Sequence, residues 1–326
     1  MITFDKLKLI APINAIEIIN DSDFEKRYEK DCLVALKYRQ TTPFLLDITV
    51  NIRERNIVIE FCGKVLGQRY PSLISIKTIR NCLENINMLG ICRLDADEML
   101  HAEVLKADVT RDVTGVDTKE LFSYLFRNIR SYKRYRAYPS SNSLTIEKNV
   151  TSPKIKKRLI IYNKYAEMTK AKNQKFLKEY NLENSFENVV RLELNLTCKK
   201  QVRESLHISD NRLSLVLESK VNPIHDFIKE VITPIYSSNH QSNYKSYLTM
   251  LVWNDCGRDI QKVEEKLRAH HPSRGANIKK MMEPFRSLTS QWINDKGHDS
   301  YERLLRELTA MHLPGVNTTP NLSNQL

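Results

Sequence analysis

The stretch Arg158-Leu159-Ile160-Ile161-Tyr162-Asn163-Lys164, closed by Glu167, decides how the chain is read. With period two, Leu159 and Ile161 point one way and Ile160, Tyr162 and Lys164 the other. A strand with one apolar and one mixed face suits an antiparallel sheet packed on one side only. Leu144 to Glu147 pairs with it as a hairpin around residues 149–155. Lys164 to Tyr180 follows as a basic helix, with Tyr162 either on the strand or on that helix's first turn. Val189 to Thr197 alternates most cleanly, with Val190, Leu192, Leu194 and Leu196 opposite Arg191, Glu193, Asn195 and Thr197. Residues 102–113 repeat the pattern, with Leu105, Ala107, Val109 and Val113 opposite Lys106, Asp108, Thr110 and Asp112.

Toward the N-terminus, Ile2, Phe4 and Leu7 to Ile10 suggest a first strand, and Phe24 to Tyr38 is too charged to assign. Leu46 to Asn51 and Ile57 to Phe61 form a hairpin across Arg53-Glu54-Arg55-Asn56. Ile76, Ile79, Leu83 and Ile86 give Ile74 to Leu89 one helical face, with Ser72 or Ser75 as cap. Asp117 starts another helix through Leu121, Leu125 and Ile129. Past residue 208 helical spacing dominates: Asn222-Pro223 to Val231, Tyr247 to Trp253, Asp259 to Ala269, Ala276 to Trp292 and Tyr301 to Met311. The third and fourth of these are spaced like a helix-turn-helix. His270 and His271 read as a helix end. No internal repeat shows at a fixed period. The expectation is an α+β fold: an antiparallel sheet with one open catalytic face and helices on the other, then a helical C-terminal region. The expected boundaries are 1–207 (catalytic), 208–313 (helical, assigned to origin binding) and 314–326 (disordered tail).

A length of 326 residues is ample for a buried core. The net charge of +12 and pI near 9.3 attract polyanions, nucleic acid above all. The six cysteines contain no Cys-x-x-Cys pair, and with no secretory signal they read as reduced thiols in the cytoplasm. No run approaches the roughly 18 apolar residues of a membrane span. Only eight glycines occur, and neither a Walker loop nor a dinucleotide fingerprint is present, which argues against an ATPase or dehydrogenase.

The polar faces of three strands carry Asp108, Tyr162 with Lys164, and Glu193. As neighbours in one sheet they would converge on its open side. Asp108 and Glu193 supply oxygen ligands suited to Mg2+ or Mn2+, with Glu147 a further ligand. Lys164 could lower the tyrosine pKa, Arg191 could clamp a phosphate oxygen in bidentate fashion, and Glu167 could serve as ligand or base. Arg130, Lys133, Arg134 and Arg136, interleaved with Tyr132, Tyr135 and Tyr138, suit single-stranded DNA, where rings stack on bases and cations hold phosphates. Lys156, Lys157 and Arg158 extend that basic set.

The ordered set Lys106-Ala107-Asp108, then Tyr162-Asn163-Lys164 with Glu167, then Arg191-Leu192-Glu193, resembles the replication initiators of filamentous phages. It is similar also to the Rep_trans-type initiators of rolling-circle plasmids, relatives of the HUH endonucleases. Ile57 to Leu66, with Lys64-Val65-Leu66, shares the resemblance, which covers roughly residues 45–210. It implies a metal-dependent enzyme that nicks and joins one origin strand. Tyr162 would be the nucleophile forming a 5′-phosphotyrosyl link and leaving a 3′-hydroxyl primer. Asp108 and Glu193 would be metal ligands, and Lys164, Glu167 and Arg191 supporting groups. The expected partners are origin DNA, single-stranded or as a hairpin, a host helicase and polymerase, and a second copy of the chain, with no membrane. Lys106 stands where the relatives usually carry arginine, and no His-x-His strand exists.

Three other readings compete: a relaxase or transposase with the same chemistry, a non-catalytic origin-binding repressor, and a primase using Asp95 and Asp97. The last two residues read as loop.

Overall fold

The computed structural model describes residues 1–326 except 130–134, 151, 153–155, 233–243, 258, 271–275, 294–295 and 310–326. Outside the described residues lie Arg130, Lys133 and Arg134, the 271–275 joint of the expected helix-turn-helix, and the tail from 314. Twelve strands are described: β1 Phe4–Pro12, β2 Ile16–Ile18, β3 Glu25–Glu29, β4 Cys32–Gln40, β5 Leu46–Asn51, β6 Asn56–Cys62, β7 Cys92–Leu94, β8 Glu103–Thr114, β9 Tyr135–Ser140, β10 Ser143–Lys148, β11 Arg158–Asn163 and β12 Val189–Leu196. Ten of them form one antiparallel sheet in the order β3-β4-β5-β6-β1-β8-β12-β11-β10-β9, and β2 pairs with β7.

That order contains one arrangement twice. From the central pair β1–β8, each half places its first strand beside its last and then runs outward in reverse chain order: β1-β6-β5-β4-β3 and β8-β12-β11-β10-β9. The topology repeats where the sequence shows no repeat. Registers counted from the centre put Asn51, Asn56 and Pro12 where the second half has Tyr162, Arg191 and Asp112. Val58 likewise stands in the place of Glu193. The chemistry-bearing row therefore exists in one half only.

One sheet face is apolar. Phe4, Leu7, Leu9, Leu46, Ile48, Ile57, Ile59, Ala107, Val109, Leu144, Leu159, Ile161, Leu192 and Leu194 are buried there under helices, in one continuous core. The covering helices are α1 Ile79–Asn87, α3 Thr118–Arg127, α6 Lys199–Leu206, α7 Leu213–Glu218, α8 Pro223–Val231 and α12 Lys296–Thr309. Asp117 caps α3, its carboxylate accepting from the N–H groups of Lys119 and Glu120, and Asn222 caps α8 ahead of Pro223. The expected helical region divides between two cores, since α7, α8 and α12 belong to the sheet's. Helices α9 Tyr244–Asp255, α10 Ile260–His270 and α11 Ala276–Ile293 gather around Trp253, Val263, Met282 and Phe285.

Four local expectations are corrected. The unassigned Phe24–Tyr38 segment holds β3 and most of β4; β3 is exposed along its whole length, so no alternation marks it. Val104, not Leu105, faces the core, because the β1–β8 register shifts between Lys8 and Leu9. Asp95 caps the short helix α2 Ala96–Leu100, accepting from the N–H groups of Asp97 and Glu98, while Asp97 pairs with Arg80. Those two acids serve a helix start and a surface ion pair. The single helix expected over Lys164–Tyr180 is two, α4 Lys164–Met168 and α5 Ala171–Glu179, separated by extended backbone at Lys170.

The other face is polar and curled. Connections 41–45 (β4–β5) and 140–143 (β9–β10) line one cleft, although β6, β1, β8, β12 and β11 lie between β5 and β10. In a flat sheet those six spacings would hold β5 and β10 roughly 29 Å apart. A small apolar cluster of Tyr70, Leu73, Met168, Phe176, Leu177, Leu182 and Phe186 roofs one end of this face. Among the described residues no helix is long and apolar enough to cross a membrane.

Candidate active site

Tyr162 lies on the strand, at the end of β11, and Asn163 turns the chain into α4. The Asn163 side chain accepts from the Ala166 N–H at 2.9 Å, and its extended backbone is that of a cap. Lys164 is thus the first helical residue rather than the next strand position. Strand β12 pairs with β11 on one side and β8 on the other, so Arg191 sits opposite both Tyr162 and Asp112. One step along, Glu193 sits opposite Ile160 and Thr110. The Tyr162 hydroxyl donates a short hydrogen bond to Glu193 Oε1. Both side chains are half-buried and line the cleft, whose volume is about 810 Å³.

Behind this pair runs a connected polar network. Arg191 is 0% exposed; Nε and Nη2 grip the Asp112 carboxylate at 2.7 and 2.8 Å, and Nη1 donates to Asp5 Oδ1 and Tyr70 Oη, both at 2.8 Å. Lys164, 2% exposed, donates to Tyr70 Oη at 2.8 Å and Glu167 Oε2 at 2.9 Å. Its ammonium lies 5.5 Å from the Tyr162 ring centroid. Asn173 donates to Glu167 Oε1 at 2.9 Å and accepts from Lys64 at 2.7 Å. Lysines 64, 164, 170 and 172 all line the cleft.

These surroundings set the protonation states. Burial, then the Asp5 charge, pushes Glu193 up to about 7. Burial, then the Glu193 carboxylate, drives Tyr162 far above the ordinary phenol value, so the resting hydroxyl is protonated. Burial opposes ionisation of Glu167, but the charge and hydrogen bond of Lys164, with Asn173 and Lys64, outweigh it and hold that carboxyl below its usual value. Lys64 is lowered, chiefly by burial.

The structure brings Tyr162, Lys164, Glu167, Arg191 and Glu193 together. It does not bring in the other two expected metal ligands. Asp108 shares the open face, but its strand partner is Asn195, not Glu193. Its carboxylate accepts from Asn195 at 2.8 Å and pairs with Lys6 at 3.4 Å, away from the cleft. Glu147 lies opposite Arg158, a further strand away, and is engaged by Lys156 at 2.7 Å and Tyr138 at 3.1 Å. Arg191, expected as a phosphate clamp, is sealed beneath the surface and spends its fork on protein carboxylates. Of the remaining basic residues, Arg136 and Arg158 are exposed, Arg158 reaching Asn195 at 2.9 Å. Lys157 is half-buried.

Besides Glu167, the acid that lines the cleft with Glu193 is Asp5, on β1. It was missed, together with Tyr70, Asp112, Lys64 and Asn173. Two carried a signal: Lys64 through the resemblance around Lys64-Val65-Leu66, and Asp112 through its place on the polar face of residues 102–113. Among the described residues no cluster of three or more His, Cys, Asp or Glu side chains is placed to hold a metal. Compared with family models, curated proteins and solved structures, the chain matches none.

Proposed function

We propose that the protein nicks and rejoins one DNA strand through a phosphotyrosyl intermediate on Tyr162, as an initiator of rolling-circle replication. The observation that carries this reading is the Tyr162 hydroxyl bonded to the Glu193 carboxylate at the floor of a lysine-lined cleft. A nucleophile within hydrogen-bond reach of its base, with that base itself oriented, is the requirement for covalent catalysis. A base near pKa 7 is suited to taking a proton at neutral pH.

Tyr162 Oη attacks the phosphorus of a bound strand, and its proton passes to Glu193. The bond from phosphorus to the 3′-oxygen breaks, that oxygen takes a proton from water, and the 5′-phosphate remains on Tyr162. Attack by a 3′-hydroxyl reverses these steps and rejoins the strand. Lysines 64, 170 and 172 attract the phosphates, and Lys164 keeps positive charge beside the tyrosine ring as negative charge develops.

A divalent cation fits the donors present, provided its ligands are Asp5 and Glu193 rather than Asp108 and Glu147. Mg2+ and Mn2+ take oxygen ligands, often only one or two carboxylates with water and substrate phosphates. Glu193, raised beside Asp5, is a carboxylate short of a counter-charge. When bound, the ion would supply charge to the scissile phosphate.

The test uses labelled single-stranded oligonucleotides tiled over the DNA that encodes the chain and its flanks. Incubated with Mn2+ and run on a denaturing gel, the wild type should give a covalent adduct that Tyr162→Phe loses. Binding without an adduct would refute the enzymatic reading and leave a basic DNA-binding protein.

A further inference from the structure

Tyr70 is 1% exposed, in the turn-rich segment Gly63–Ser72, and its hydroxyl is filled on every side. It donates to Asp5 Oδ1 at 3.0 Å and accepts from Lys164 at 2.8 Å and Arg191 at 2.8 Å. A phenol has one donor and two acceptor lone pairs, so its capacity is met. The three partners come from three separate elements: Asp5 from β1, Lys164 from the first turn of α4, and Arg191 from β12.

The ring is held as firmly as the oxygen. Phe176 meets it edge-on with centroids 5.7 Å apart, and Phe186 at 5.6 Å. The Lys164 ammonium and the Arg191 guanidinium carbon lie 5.1 and 5.2 Å from its centroid. Both cations therefore stand at the hydroxyl edge of the ring, where their bonds to its oxygen fix their places. Burial, only partly countered by Arg191, keeps the phenol well above its ordinary pKa.

We propose that Tyr70 is a positioning residue for the Tyr162 reaction, a buried hydroxyl that locks Lys164 beside the nucleophile and Asp5 beside Glu193 as one unit. The proposal rests on the function argued above. Tyr70 does not touch the strand; it acts through Lys164 and Asp5. Asp5 and Lys164 share no bond of their own, so this oxygen links them directly, and Arg191 bridges the same oxygen to Asp5.

The test is Tyr70→Phe, which keeps the ring and its packing and removes only the oxygen. Adduct formation should slow roughly 30-fold, the scale of a sub-ångström misplacement of catalytic groups, with single-stranded DNA affinity within about twofold of wild type. A purely structural role would lower folded fraction and would not split rate from affinity. Lys164→Met should also be slow, and the double variant no slower than the slower single one, since both break one unit. Should Tyr70→Phe fail to fold, Asp5→Asn with Lys164→Met reads the same coupling with the hydroxyl in place. A Tyr70→Phe rate equal to wild type, or fold-losses that multiply in the double variants, would overturn the positioning role while leaving Tyr162 chemistry intact. A wild type that forms no adduct would sink both.

Discussion

Replacing Glu193 with Gln should make the protein more stable above pH 7 and at the same time inactive. A free glutamate ionises near 4.5, whereas Glu193 in the fold does so at about 7. Between those values the unfolded chain has lost the proton and the folded chain keeps it. Raising the pH across that window therefore favours unfolding, and the stability Glu193 contributes at low pH is gone once pH passes 7. The displacement from 4.5 to about 7 corresponds to roughly 3 kcal/mol. Gln cannot ionise, and its amide oxygen still accepts from Tyr162. Glu193→Gln should match wild type near pH 4.5 and exceed it by up to roughly 3 kcal/mol at pH 8. Urea unfolding followed by far-UV circular dichroism at several pH values measures this, with EDTA present because a bound cation would stabilise the ionised fold. The same variant should form no adduct, its base being gone. A variant with the wild-type pH slope, or one less stable at pH 8, would refute the picture of Glu193 as a carboxylate held against its charge.

Adduct formation by wild type should rise with pH to a midpoint near 7 at low Mn2+, and that midpoint should move down as the ion saturates, because a cation beside Glu193 favours its ionised form; a metal-independent midpoint would count against Asp5 and Glu193 as ligands. Asp5→Asn should cut Mn2+-dependent nicking by about 10²-fold, whereas Asp108→Asn should leave the rate nearly unchanged and cost only about 1 kcal/mol from its bonds to Lys6 and Asn195. Arg191→Met should destabilise by about 3–5 kcal/mol by leaving Asp112 without its partner, and Arg191→Lys should recover little, since an ammonium cannot grip a carboxylate with two arms. Affinity for duplex DNA should fall by roughly 0.9 log units per log unit of salt for each phosphate neutralised, read by filter binding.

The strands that could be read were those with one apolar and one polar face. Arg158–Asn163 and Leu46–Asn51 alternate because burial on a single side imposes period two, and Val189–Leu196, buried on both sides, alternates because its second face carries the hydrogen-bonded Arg191, Glu193 and Asn195. Glu25–Glu29 has no buried side and so no period. Tyr162 and Glu193 were legible as sharing one face because both lie on polar faces of strongly patterned strands; that the acid, read as a metal ligand, accepts the phenol's hydrogen bond was not. Asp108 was read into their company because alternation gives the face of a residue and not what its side chain grips: its carboxylate is taken by Asn195 and Lys6 outside the cleft. Asp5 sits where β1 slips register between Phe4 and Lys6, and Tyr70 follows a left-handed Gly67 in a segment interrupted by Pro71, so neither carries a period. Arg191 reads as a surface cation in sequence. Only the roof formed around Tyr70, Phe176 and Phe186 buries it.

The repeated half-sheet explains why the site resists motif reading. Tyr162, Glu193 and Lys164 belong to the second half, and the first half's matching row, Asn51 with Asn56 and Pro12, holds neither phenol nor acid. Yet Asp5, Lys64 and Tyr70 come from the first half, carried across by the central β1–β8 pairing and by the Gly63–Ser72 segment. The working unit is therefore the junction. A slip of one residue between β1 and β8 would turn Asp5 into the core and leave Glu193 without it, although every second-half motif stayed in place. Thr110 guards that register: its hydroxyl accepts from the Asp5 N–H at 3.1 Å and donates to the Asp108 carbonyl at 3.0 Å. Thr110→Val, nearly isosteric but unable to make either bond, should weaken Mn2+-dependent nicking more than it lowers thermal stability. Equal loss of both would mean that the central pair holds its register without the hydroxyl.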